Sequence, residues 1–206
     1  MHQPKHHLSG KAFLLGMNPV IRFMTLSDVV FLGAGQLLAP VFAVFVGSEI
    51  VGGNVSVVGM ATALFFIAKS IAQIPAASLM DRVKGERDDF AWMFFGTLSL
   101  PLLQLLFLVI NSPMELYLLQ IIMGIVTGIT YPSYMSIFGR HIDRSHENME
   151  WGVRFTLTDI SAALGAMIGG FLAYNYGFSS LIMATSAAGV VGVLLLLPVR
   201  RYLRAK

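Results

Sequence analysis

The chain has 206 residues, 56% of them hydrophobic and only 12% charged, where a soluble domain carries roughly 25% charged residues. That balance excludes a soluble globular fold and predicts an all-α polytopic membrane protein. The lack of cysteine excludes disulfides and thiolate metal centres. The net charge of +3 is not a nucleic-acid signature, because the basic residues fall in short loops between apolar segments.

A hydrocarbon core about 30 Å thick needs roughly 20 apolar residues of helix. On that measure residues 1–18 read as a cytoplasmic tail, 19–200 as a six-helix transmembrane domain and 201–206 as a second cytoplasmic tail. The six spans fall at about 20–46, 55–79, 90–111, 114–138, 151–174 and 177–199. The first is too long for a signal-peptide core and five more follow it, so cleavage is not expected.

Span one carries Asp28 in its inner half and Gln36 further out, with Gly33, Gly35 and Pro40 able to let it bend. Span two has Lys69 near its middle and ends in a charged island, "LMDRVKGERDD". Span four presents Gln120, Thr127, Tyr131 and Tyr134. Span five starts near Arg154, with Asp159 about one and a half turns deeper, and continues through Gly165, Gly169 and Gly170. Small residues at such spacing let membrane helices approach closely. Ala72, Ala76 and Ala77 make span two similarly thin, so span two of one copy is expected on span five of another; packing within one copy is the alternative.

All of the 14 Lys and Arg residues except Lys69 lie on one side of this arrangement. The loops "GSEIVGGNVS", "NSP" and "NYGFS" contain none. The positive-inside rule then places both termini in the cytoplasm, as in a protein of a bacterial or archaeal inner (plasma) membrane. Trp92, Trp151 and Tyr202 fall near the inner interface and Tyr117, Tyr174 and Tyr176 near the outer one, as in aromatic belts.

A charge at the centre of a span costs about 2.5–3.5 kcal/mol on insertion scales, so intramembrane charges mark candidate sites. Asp28 is the first candidate for a proton or cation carrier and Asp159 the second, since a poorly hydrated carboxylate can load and release a proton. Lys69 is read either as a counter-ion to one of them or as a direct contact for an anionic substrate. A fixed pair tethering two helices, or a residue beside a watery vestibule, is the alternative for each.

Three stretches resemble one family. "AASLMDRVKGER" is similar to the cytoplasmic signature of the major facilitator superfamily, Gly-x-Leu-x-Asp-Arg-x-Gly-Arg-Arg, between its second and third helices. Leu79, Asp81 and Arg82 match; Ala77 stands for Gly, Lys84 is one residue extra before Gly85, and Glu86 replaces a basic residue. "QIIMGIVTGITYP" resembles the family's fourth helix through Gly124, Gly128 and Pro132, with Gln120 in place of Arg. "LGAMIGGFLAYNYGF" resembles the fifth helix through Gly165, Gly169 and Gly170, with Ala166 in place of Pro.

The resemblance covers about residues 18–200 and corresponds to the N-terminal half of the family's fold. It implies six helices in a 3+3 inverted repeat. It also implies secondary active transport of a small molecule by alternating access, coupled to protons or to the substrate gradient. Because the family's two halves are parallel repeats, a half-length chain is expected to pair with a second copy through a two-fold.

In such a dimer the loop residues Asp81, Arg82, Gly85 and Arg87 would act as a cytoplasmic gate. Asp81 would face the start of the partner copy's span five, near Trp151 and Gly152, and Arg82 would pair with Asp143, Glu147 or Glu150. A solvated turn is the alternative. No phosphate-binding loop, nucleophile–base pattern or complete metal motif is present, so neither an enzyme nor a cofactor is expected. "HENME" lacks the second His of a zinc site, and "MHQPKHH" reads as a disordered tail. The competing functions are one half of a heteromeric transporter, or a non-transporting module for membrane assembly or regulation.

Overall fold

The computed structural model describes residues 16–82 and 85–204. Lys84 of the charged island, Lys206 and the expected tail up to residue 15 lie outside them. The described residues form helices joined by short connections, with no strand among them, and five of the helices are long and apolar enough to cross a membrane. These are α1 (Pro19–Glu49), α2 (Val55–Arg82), α3 (Glu86–Leu108), α4 (Pro113–His141) and α5 (Glu147–Arg201).

Local chemistry sets the helix starts. Asn18 accepts from the Val20 N–H at 2.9 Å ahead of Pro19 at the first helical position, a donor-satisfying cap followed by a residue with no N–H to orphan. Asn54 accepts from the Ser56 and Val57 N–H groups at 2.9 and 3.1 Å. Ser112 and Glu115 form a capping box around Pro113. Glu86, Asp88 and Asp89 occupy the first turn of α3, where negative charge meets the positive end of the helix dipole. The bend expected at Pro40 is a short 3-10 turn, Ala39–Val41, inside α1.

The first four expected spans coincide with α1 to α4. The last two fall within α5, a run of 55 residues that is broken at Gly177 (φ 78°, ψ 170°). At about 1.5 Å per residue a straight helix of that length would far exceed a bilayer core of about 30 Å. The packing shows how the length is used. Trp151 and Val153 from its start and Val193, Leu196 and Val199 from its end join one cluster with Met17, Phe90 and Phe138. Leu172, Phe178 and Leu181, around the break, join the other cluster with Phe45, Phe107 and Leu116. α5 therefore doubles back at Gly177 into a first arm (147–176) and a second arm (178–201).

Glycines set the closest crossings. A Cβ at Gly124 or Gly128 of α4 would strike the backbone carbonyl of Phe65 or Lys69 in α2. A Cβ at Gly165 or Gly169 of α5 would strike the carbonyl of Gly33 or Leu37 in α1. This corrects the expected role of the span-five glycines. Gly165 and Gly169 hold the first arm against α1 of the same chain, and Ala72 packs at Gly128. Without water to drive apolar association, close backbone approach is what holds membrane helices together, and these glycines are used up inside the monomer. Gly170 alone of the three has open space where a Cβ would go.

Overpacking a filled site costs typically about 1–3 kcal/mol. Gly169→Val should therefore lower the thermal unfolding midpoint of the detergent-purified protein by several degrees, with Gly170→Val close to the wild type. Equal losses for the two would contradict the α1–α5 packing.

Candidate functional site

A cavity of about 260 Å³ lies between the helices near the level of Lys69. α1 lines it with Ser27, Asp28, Phe31 and Leu32, α2 with Lys69, and α3 with Thr97 and Leu100. α4 contributes Thr127, Thr130, Tyr131 and Tyr134, and α5 contributes Arg154 and Leu196. Six of the nine expected site residues thus meet in one place: Asp28, Lys69, Thr127, Tyr131, Tyr134 and Arg154.

At one end of the cavity Asp28, 7% exposed, is held by two donors. The Arg154 Nε–H donates to its Oδ2 at 2.7 Å, and the Tyr134 hydroxyl donates to the same oxygen. Arg154 Nε also lies 3.1 Å from the Tyr134 oxygen. The guanidinium sits 5.5–5.7 Å from the ring centres of Tyr134, Phe138, Trp151 and Phe155, within the range of cation–π attraction. The residues flanking Asp28 are each tied to a different arm of α5. The Ser27 hydroxyl donates to the Gly192 carbonyl at 2.7 Å, and the Ser161 hydroxyl donates to the Val29 carbonyl. Asp28 is fixed by backbone-level clamps on both sides as well as by its own ion pair.

Lys69 is different. Its ammonium lies 4.9 Å from the centre of the Tyr131 ring, and among the described residues no carboxylate comes within 4.0 Å of it. The hydroxyls of Thr127 and Thr130 donate to carbonyls of their own helix, those of Met123 and Val126, both at 2.7 Å.

The other three expected residues lie elsewhere. Asp159 is exposed on the first arm and does not join Arg154. Five residues along a helix turn the side chain by about 140°, so Arg154 faces inward and Asp159 outward. Gln36 packs its Cβ at Gly165. Gln120 lines a separate cavity of about 310 Å³ with Gly35, Phe42, Thr62, Phe65 and Phe107. Ser27, Phe31, Thr97, Thr130 and Leu196 line the site without having been singled out. Thr130 was recoverable, because 127, 130, 131 and 134 form an i, i+3, i+4, i+7 stripe on one helical face. The others carry no signal in their own spans.

At the end of the bundle that carries the charged island, Asp81, Arg82 and Arg87 are exposed, and Gly85 accepts from the Asp88 and Asp89 N–H groups at 3.2 Å. Within the chain Arg82 makes no ion pair with Asp143, Glu147 or Glu150 among the described residues. Glu150 is buried and accepts from the Asp143 N–H at 3.0 Å. The Ser145 hydroxyl and N–H hold the Asp143 carboxyl down to about 2. The contacts of the island come from its second half instead. Asp89 pairs with Arg140 at the end of α4, Glu86 lies 3.8 Å from His141, and Glu86 accepts from the Arg204 N–H at 2.9 Å.

Removing one partner of a buried ion pair costs about 3–5 kcal/mol, because the other charge is left uncompensated. Arg154→Gln should therefore destabilise the protein strongly. Tyr134→Phe, which deletes one hydrogen bond, should cost only about 0.5–1.5 kcal/mol. Asp28→Asn combined with Arg154→Gln should be milder than Arg154→Gln alone. Thermal unfolding in detergent measures the order, and a double variant as destabilised as the sum of the Asp28→Asn and Arg154→Gln singles would contradict the pairing.

No curated protein and no solved structure matches the chain. The family model of the Major Facilitator Superfamily matches residues 24–206, and with an all-helical bundle of membrane-length helices around a charged cavity, the chain belongs to the major facilitator superfamily of membrane transporters.

Proposed function

We propose that the chain is a secondary active transporter of a small molecule, working by alternating access with protons as the coupling ion. The observation that carries this reading is Asp28, a carboxylate buried in the bundle, facing a cavity and held by one guanidinium and one phenol. A proton arriving on Asp28 removes the negative charge that Arg154 balances. The guanidinium is then uncompensated, and the α1–α5 junction that both residues build is weakened. Loss of the proton restores the pair. Substrate binding in the same cavity and proton binding on Asp28 are thereby linked through one charge balance.

The bundle is read as six crossings in a 3+3 inverted repeat, with the two arms of α5 as crossings five and six. The support lies in paired contacts. Glycines four apart close both the α4–α2 and the α5–α1 crossings. Gly96 of α3 meets Thr130 of α4, and Gly192 of the second arm meets Phe31 of α1. Exchanging α1 with α4, α2 with the first arm and α3 with the second arm turns each of these contacts into the other. The α3–second-arm contact, in which Ser186 donates to the Pro101 carbonyl at 2.7 Å, maps onto itself.

A second copy is the proposed partner. Asp159 stands exposed within the first arm, among the exposed Ile160, Leu164 and Met167, and a lipid-facing carboxylate at that depth is costly. Covering this face by a two-fold with another copy would remove the carboxylate from lipid. Arg82, Arg87, Arg140, Arg144, Arg200, Arg201 and Arg204 share the end of the bundle taken as cytoplasmic. The membrane proposed is a bacterial or archaeal inner membrane.

Two measurements test this reading. In proteoliposomes loaded with a pH-sensitive dye and offered a panel of organic acids, amines and sugars, at least one solute should drive proton movement. Asp28→Asn should abolish that movement; undiminished coupling in this variant would remove Asp28 from the mechanism. Native mass spectrometry of the protein extracted with lipid should give a dimer of identical chains, and a stable monomer would refute the two-fold.

A further inference from the structure

We propose, resting on the transport reading above, that the cavity receives a small organic monoanion, its charged group on Lys69 and its apolar body against Phe31, Leu32, Leu100 and Leu196. The charge count is the starting point. The cavity is lined by two cations, Lys69 and Arg154, and one carboxylate, Asp28. Asp28 is spent on Arg154 at 2.7 Å, so Lys69 is the unbalanced charge. Among the described residues its ammonium has one charge or ring partner, the face of Tyr131, 4.9 Å from the ring centre. A ring quadrupole is a weak stand-in for an anion. An ammonium without a counter-ion inside a membrane protein is a costly element that marks a ligand pathway. A single negative charge brings the site to neutrality.

The rest of the lining narrows the class. A cation would meet the excess positive charge and gain nothing. A sugar needs many donors and acceptors, but the hydroxyls of Ser27, Thr127 and Thr130 are already bonded to backbone carbonyls. The hydroxyl of Thr97 is the lining threonine hydroxyl without a hydrogen bond among the described residues, which suits one extra contact to an anionic oxygen. A volume of about 260 Å³ is below the roughly 300–1,000 Å³ of drug-sized sites, which calls for a compact ligand. Tyr131 is 43% exposed, so the Lys69 side of the cavity is its open side, and a ligand enters past the ring that it displaces as the partner of the ammonium.

The test uses the full chain in nanodiscs of zwitterionic lipid, with calorimetric titration of three probes of one shape: benzoate, benzamide and benzylamine. Benzoate should bind saturably, and the neutral and cationic analogues at least about tenfold more weakly. Lys69→Gln should cost benzoate at least about tenfold, while Lys69→Arg, which keeps the charge, should retain binding. Retained elution volume and helical circular dichroism show that the Gln variant is folded. Tighter binding of benzamide or benzylamine overturns the anion assignment, as does unchanged benzoate binding in Lys69→Gln or no binding of any probe. The transport reading fails separately, by undiminished proton coupling in Asp28→Asn.

Discussion

The junction of Asp28 with Arg154 and Tyr134 organises one half of this bundle. It joins α1, α4 and the first arm of α5 through groups on three helices that lie far apart in the sequence. Its geometry does not rest on the ion pair alone. Ser27 and Val29 anchor the backbone on either side of Asp28 to the second and first arms of α5. A carboxylate placed in this way has few positions available to it. Its charge state, and not its location, becomes the variable.

Around that junction the helices come together by backbone contact. Gly33, Gly165 and Gly169 bring α1 onto the first arm, and Gly124 and Gly128 bring α4 onto α2. Side chains are removed from the crossings so that those nearby can be spent on the cavity. The two needs are met on neighbouring turns of one helix: Gly124 and Gly128 face α2, while Thr127, Tyr131 and Tyr134 line the site. The two apolar clusters close the bundle at its two ends. Lys69 belongs to both layers, since its carbonyl lies at the Gly128 crossing and its ammonium in the cavity.

The membrane class, the positions of the first four spans and most of the cavity's polar residues were legible in the sequence. Charges and paired hydroxyls are conspicuous within apolar runs. Their pairing was not legible. Spans that are apolar all round have no readable inner face, so nothing in the local pattern says that Arg154 meets Asp28, 126 residues away, and not Asp159 in the next turn. The glycines were recognisable as packing residues, but small-residue spacing does not name the helix it fits. The charged island showed the opposite limit. Its family-like half, Asp81 and Arg82, makes no ion pair or side-chain hydrogen bond among the described residues, while the less familiar Glu86 and Asp89 tie that end of the bundle together.

The turn at Gly177 carries a consequence for how this chain tolerates change in length. Surface connections usually accept insertions because the elements they join are indifferent to register. Here both arms of α5 grip α1 beside one residue, and the distance along the chain from Ser161 to Gly192 is part of that grip. One added residue in the second arm would rotate the helix beyond it by about 100° and carry Gly192 away from Ser27 and Phe31. The stretch from Ser161 through the turn to Gly192 is thus a counted segment, and natural variation in its length is expected in compensated pairs or not at all.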